Sequence, residues 1–111
     1  FINHNPDAVK DSINAEFALA FALIENHYFV NKGFLDDENQ LLDNIDTIRN
    51  IPAIIVQGRY DVVCPPTTAY ELHSRWPESE LTIAPFSGHS SFEKEITHEL
   101  IKATNHFITQ E

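Results

Sequence analysis

Two short segments of this chain carry residue types that can move protons on a substrate. Gly58-Arg59-Tyr60-Asp61 follows the apolar run Ile51-Pro52-Ala53-Ile54-Ile55-Val56, and Ser87-Gly88-His89-Ser90 follows Leu81-Thr82-Ile83. Short apolar, β-branched runs bounded by glycine and turn residues read as strands. An acid therefore stands just past one strand and a histidine just past the next. In an open parallel sheet the C-terminal strand ends share one rim, and the loops leaving them build the site. Asp61 and His89 are expected to meet there. An imidazole beside a carboxylate is the proton-handling part of a nucleophilic triad. The ring takes a proton from a hydroxyl and later returns it to the leaving group, while the buried carboxylate fixes the tautomer and stabilises the imidazolium. Gly58 and Gly88 would let the backbone bend tightly before each residue. Alone, Asp61 reads as a turn residue or a helix cap, and a lone Gly-His says less. Both together, in this order, on consecutive strand ends and with Pro65 after the acid, favour the catalytic reading.

Those two residues need rigid elements behind them. Asn5-Pro6-Asp7 reads as a helix start, with a cap, a proline in the first turn and an acid at the positive end of the dipole. Val9, Ile13, Phe17, Phe21 and Ile24 then recur at a helical period, and the apolar stripe widens toward its end, so burial on more than one side is expected. Glu25 closes that stretch, before Asn26-His27-Tyr28-Phe29. A carboxylate among such neighbours is costly unless a cation pairs with it. Lys32-Gly33 breaks the pattern, and Leu41, Leu42, Ile45 and Ile48 suggest a short helix running to Arg49-Asn50. A strand over 52–57 follows, whose unbroken Ile54-Ile55-Val56 implies burial on both faces. Pro65-Pro66-Thr67 opens a helix with Ala69, Leu72, His73 and Trp76 on one face, ended by Pro77; residues 79–84 are strand-like. Ser90 and Glu93 have capping-box spacing. Ile96, Leu100, Thr104, Phe107 and Ile108 then mark the inner face of a last helix. Strand–helix–strand–helix predicts an α/β arrangement with a parallel pair.

The bulk numbers exclude several function classes. At 111 residues the chain is one small domain or a piece of a larger one. Seventeen acids against seven bases give −10, which argues against nucleic acid or an anionic membrane as partner. No apolar run approaches the roughly 18 residues of a membrane span, and no signal peptide is visible at Phe1-Ile2-Asn3-His4. That start suggests a chain that begins in the middle of something. The single cysteine, Cys64, cannot close an intrachain disulfide and fits a reducing, cytosolic setting. It lies three residues past the acid, so it either lines the site or is an inert half-buried thiol. No pair of the six histidines has a recognisable ligand spacing with carboxylates, so no metal is implied; His4, His73, His98 and His106 read as surface or packing residues, and Trp76 as core.

Gly58-Arg59-Tyr60-Asp61-Val62-Val63-Cys64-Pro65 resembles the G-x-x-D-x-x-x-P turn that carries the acid in many α/β-hydrolases, and Gly88-His89 resembles the pair that carries their base. The chain order of that fold is nucleophile, acid, histidine, and the acid precedes the histidine here. The likeness is closer than fold level. With Ala69-Tyr70-Glu71-Leu72-His73, Trp76-Pro77 and Gly88-His89-Ser90, the stretch 51–89 resembles the C-terminal part of proline iminopeptidases, and Ile24-Glu25-Asn26-His27-Tyr28-Phe29 is similar to that family's cap domain. The resemblance implies release of N-terminal proline from peptides, without a cofactor. It implies Asp61 as triad acid, His89 as triad base, and Glu25 as the cap carboxylate that pairs with the substrate's free α-amino group. It also implies residues 1–50 as the end of a helical cap with the return connection, and 51–111 as the C-terminal part of the catalytic domain.

One part of the pattern is absent. Ser12, Ser74, Ser79, Ser87, Ser90 and Ser91 all lack the flanking glycines of a G-x-S-x-G elbow. The chain is therefore expected to be a C-terminal fragment, inactive and marginally stable by itself, because a lone two-stranded unit exposes its edges. Two rivals follow from the same residues. Another capped α/β-hydrolase, an esterase or epoxide hydrolase, would have no use for an amine-binding Glu25. A non-catalytic interaction module of the same fold would have no hydrolysis to lose.

Overall fold

The computed structural model describes residues 15–109. The helix start expected at Asn5-Pro6-Asp7, and the positions Val9, Ser12, Ile13 and His4, lie outside them. The chain divides into two units, one ending at Leu41 and one running on from Leu42.

In the first unit, α1 (Ala15–Val30) is apolar on nearly every side. A helix of that kind needs a covering surface all round, and its own unit supplies little: no residue of α1 is buried, and Phe17, Phe21, Leu23 and Phe29 are all more than half exposed. The burial expected from its widening stripe is thus not found within this unit. Glu25 sits inside α1, five residues short of its last residue, rather than at the helix end, and its side chain is exposed. The helix stops in a left-handed turn over Lys32–Phe34, with φ of 52°, 63° and 61°. Such values cost about 1 kcal/mol or more for a residue with a Cβ. The turn brings the Phe34 ring back to 5.4 Å from both His27 and Tyr28.

In the second unit, β1 (Ala53–Gly58) and β2 (Ser79–Ala84) pair in parallel, from Ala53 opposite Ser79 to Gly58 opposite Ala84. The helix α3 (Pro66–Arg75) connects them and α4 (Lys94–Ile108) follows; both helices pack on both strands. The parallel α/β arrangement read from the sequence is the one found. Pro66 at the start of α3 gives up an N–H that no helix bond would use. The apolar core is small: Ile45, Ala69, Ala84, Ile96 and Ala103. Ala69, Leu72, His73 and Trp76 do form the inner face of α3, with Trp76 Nε1 donating to the Ile51 carbonyl at 3.0 Å and His73 Nδ1 bonded to Ser79 Oγ at 2.9 Å.

Three expectations need correcting here. The short helix over 41–50 is instead one helical turn, α2 (Gln40–Asp43), and a separate 3-10 turn at Ile45–Thr47. Asn44 and Asp46 fall between the apolar positions, and such residues favour local turns over helix interiors. β1 is half-buried rather than covered on both faces, because the sheet among the described residues has only two strands. On α4 the buried positions are Ile96 and Ala103, while Leu100, Phe107 and Ile108 stay partly or largely exposed.

Candidate active site

The ends of β1 and β2 are joined by backbone hydrogen bonds beyond the strands. Arg59 N–H donates to Ala84 O at 3.0 Å and Tyr60 N–H to Ser87 O at 3.0 Å, so the ladder continues past the last strand residues into both loops. Gly58 is what lets them approach. A Cβ built on it would lie 2.0 Å from Gly88 O and 2.8 Å from Ser87 O. Its role is therefore close backbone approach rather than the bend expected from sequence. Gly88 does not supply a bend through positive φ either, since Gly33 is the one glycine in that region among the described residues.

The turn after β1 wraps around the Asp61 carboxylate, which is buried at 8% exposure. Oδ1 accepts the N–H of Val63 at 2.9 Å and of Cys64 at 2.8 Å. Gln57 closes the turn from the strand side, its Nε2 donating to Cys64 O at 3.0 Å and Gly58 O at 3.1 Å. The His89 ring meets the same carboxylate, with Nδ1 3.0 Å from Oδ2 and 3.1 Å from Oδ1. An ionised carboxylate only accepts, so Nδ1 carries the proton and donates. In the neutral ring Nε2 then holds the lone pair, and no hydrogen bond engages it among the described residues. The ring is 53% exposed. Burial pushes the Asp61 carboxyl up, but the hydrogen bonds from Cys64, His89 and Val63 and the charge of His89 outweigh it and hold the group below its ordinary value. Asp61 is thus an anion at any pH where the ring could work as a base.

The loop carrying His89 is braced from α4. Glu93 was expected to close a capping box on Ser90, and half of that exists: Glu93 Oε1 accepts Ser90 N–H at 3.2 Å. The same oxygen also accepts Gly88 N–H at 3.0 Å, Ser90 Oγ accepts from Phe92 N–H instead, and the helix begins only at Lys94. Ser90 therefore caps a turn, not the helix. Glu95 Oε2 accepts Phe86 N–H at 2.9 Å and Ser87 Oγ–H at 3.3 Å. Gln57, Glu93 and Glu95 were not singled out as site residues. The Ser90–Glu93 spacing was the one available signal, and it read as a cap.

Cys64 is exposed, and its Sγ, an Asp61 oxygen and a His89 ring nitrogen all lie within 4.8 Å of one another. It lines the site, and the three groups are of the kind that could hold a soft divalent ion. The sequence hid the cluster because its members stand at positions 61, 64 and 89. Asp61 and His89 are already engaged with each other, so an ion would compete with that hydrogen bond.

No family model matches the chain. Curated relatives do. It is 52% identical over 107 residues to the proline iminopeptidase of Xanthomonas citri, covering 96% of this chain and 34% of that protein. It is 56% identical over 106 residues to a probable proline iminopeptidase of Leptolyngbya boryana, covering 96% and 33%, and 52% identical over 103 residues to the proline iminopeptidase of Arabidopsis thaliana, covering 93% and 27%. The chain is similar to proline iminopeptidases. The resemblance read at 51–89 and 24–29 extends over nearly its whole length, and it spans about a third of the length of the relatives it matches. No helix among the described residues is long and apolar enough to cross a membrane.

Proposed function

We propose that this chain is the C-terminal part of an α/β-hydrolase serine aminopeptidase that releases N-terminal proline from peptides. In this reading residues 1–50 are the end of the helical cap with its return connection, and residues 51–111 belong to the catalytic domain. The observation that carries the proposal is the 3.0 Å hydrogen bond from His89 Nδ1 to Asp61 across two parallel strand ends, in a chain whose relatives bear the name proline iminopeptidase. A serine from outside these 111 residues gives its proton to His89 Nε2 and attacks the prolyl carbonyl. The imidazolium, held by Asp61, returns that proton to the leaving amine, and water then releases proline by the same route in reverse. Glu25 receives the substrate's α-ammonium. An internal peptide bond offers no such cation and would leave the carboxylate unpaired, which restricts the enzyme to chain ends. Exposed Cys64 suits a reducing, cytosolic compartment.

The test uses the full-length protein with a proline arylamide and a simple aryl ester. Hydrolysis of the arylamide is expected, with Glu25→Gln raising its KM at least about tenfold and sparing the ester. Ester hydrolysis alone, indifferent to Glu25, would make the protein a different capped hydrolase. Neither activity, with binding altered by His89→Ala, would make it an interaction module.

A further inference from the structure

His89 itself is poorly held. Its ring is 53% exposed and, among the described residues, bonded to Asp61 alone, so its direction depends on the backbone that carries it. That backbone is pinned from one place. A single oxygen of Glu93, a residue only 7% exposed, accepts the N–H groups of Gly88 and Ser90, one on each side of His89. Glu95 fixes the preceding pair, Phe86 and Ser87, from the same helix turn.

We propose that Glu93 is a positioning residue: through Gly88 and Ser90 it sets the His89 backbone where Nδ1 reaches Asp61 and Nε2 is left open to the nucleophile. The proposal rests on the triad reading above. Glu93 bonds to the backbone on either side of His89, and its role is exerted through that residue. Its effect is on geometry, and a displacement of about 1 Å at a catalytic group can cost about 100-fold in rate.

The experiment compares Glu93→Ala, Glu93→Gln and Glu93→Asp in the full-length protein. It measures kcat and KM on a proline arylamide, and by NMR the strongly downfield His89 Nδ1–H resonance that a bond to a carboxylate produces. Glu93→Ala should lower kcat about 100-fold, leave KM within about twofold, and shift or broaden that resonance. Glu93→Gln keeps an oxygen of the same reach and should recover most of the rate and the resonance. Glu93→Asp, one methylene short, should behave like alanine. Unchanged kcat in Glu93→Ala overturns the proposal. So does a loss of kcat and KM together with the resonance intact, which would mark a merely structural residue. Should Glu93→Ala not fold, the Gln and Asp variants decide, and equal rates in the two would overturn it. A wild-type protein that shows the resonance but no arylamide hydrolysis would sink the functional reading, while the resonance of the variants still tests the brace.

Discussion

The two turns that face each other at the strand ends are built in opposite ways. The Asp61 turn is self-contained. Its carboxylate is buried, and it organises its own loop by accepting N–H groups two and three residues on. The His89 turn makes no such local use of its side chain, which stands half in solvent. It is held through its backbone, by the carboxylates of Glu93, just before α4, and of Glu95 within it. The difference follows from what each side chain must do. A carboxylate that only orients and compensates can spend its lone pairs on its own backbone. A base must keep one nitrogen unoccupied, so its position has to be secured by other residues.

The largest expected effect tests whether the two turns act as one unit. In the full-length protein, His89→Ala and Asp61→Asn should each lower kcat on a proline arylamide by about 10⁴-fold. The double variant should lose little more than either single one, because residues that act as a unit are not additive. Losses that multiply would mean that Asp61 and His89 work separately, and the pairing at 3.0 Å would be incidental.

Gly58 joins the turns, and its substitution should damage both. A methyl group 2.0 Å from Gly88 O and 2.9 Å from Gly88 C meets backbone on both counts, not a flexible side-chain tip. Gly58→Ala is expected to cost about 3 kcal/mol or more, read from denaturant unfolding. Activity should fall with it, since Arg59 and Tyr60 would lose their partners Ala84 and Ser87. An alanine accepted at no cost would show that the strand ends separate easily.

Acid separates the two turns by titration. The folded carboxyl of Asp61 is held below its ordinary value, so its contribution to stability is whole above the unfolded value of about 4 and is lost as pH falls through the folded one. Unfolding midpoints of the wild type and Asp61→Asn should therefore differ at neutral pH and draw together below about pH 4. A gap that stayed constant down to the folded value would mean that the charge of Asp61 adds nothing to the turn.

This contrast also explains what could be read from the chain alone. The Asp61 turn was legible because its determinants are local: a strand, then a glycine, an acid and a proline within the eight residues 58–65. The parallel pair was legible from two apolar runs with a helix between them. Glu93 was visible only as a cap for Ser90, because its second partner, Gly88, lies five residues back in a loop whose path the sequence does not dictate. Gly58 was noticed for the wrong reason, since an approach of two backbones from distant segments leaves no periodic signal. The apolar sides of α1 were plain in its composition, but among the described residues nothing buries them.

Gln57 gives the smallest and most discriminating test. It braces the acid turn much as Glu93 braces the base turn, by side-chain bonds to backbone on either side of the loop. Yet the Asp61 turn already has its own internal bonds, and the Cys64 carbonyl is in an exposed residue where water can replace the lost donor. Gln57→Ala should therefore cost only about 1 kcal/mol, a shift of a few degrees in Tm, with kcat within about twofold of the wild type. The same measurements on Glu93→Ala should show the reverse balance, a large kcat loss against a modest change in Tm. Equal kcat losses would mean that the acid turn leans on outside support as heavily as the base turn does. The asymmetry between a carboxylate that arranges its own loop and an imidazole that is carried would then be withdrawn.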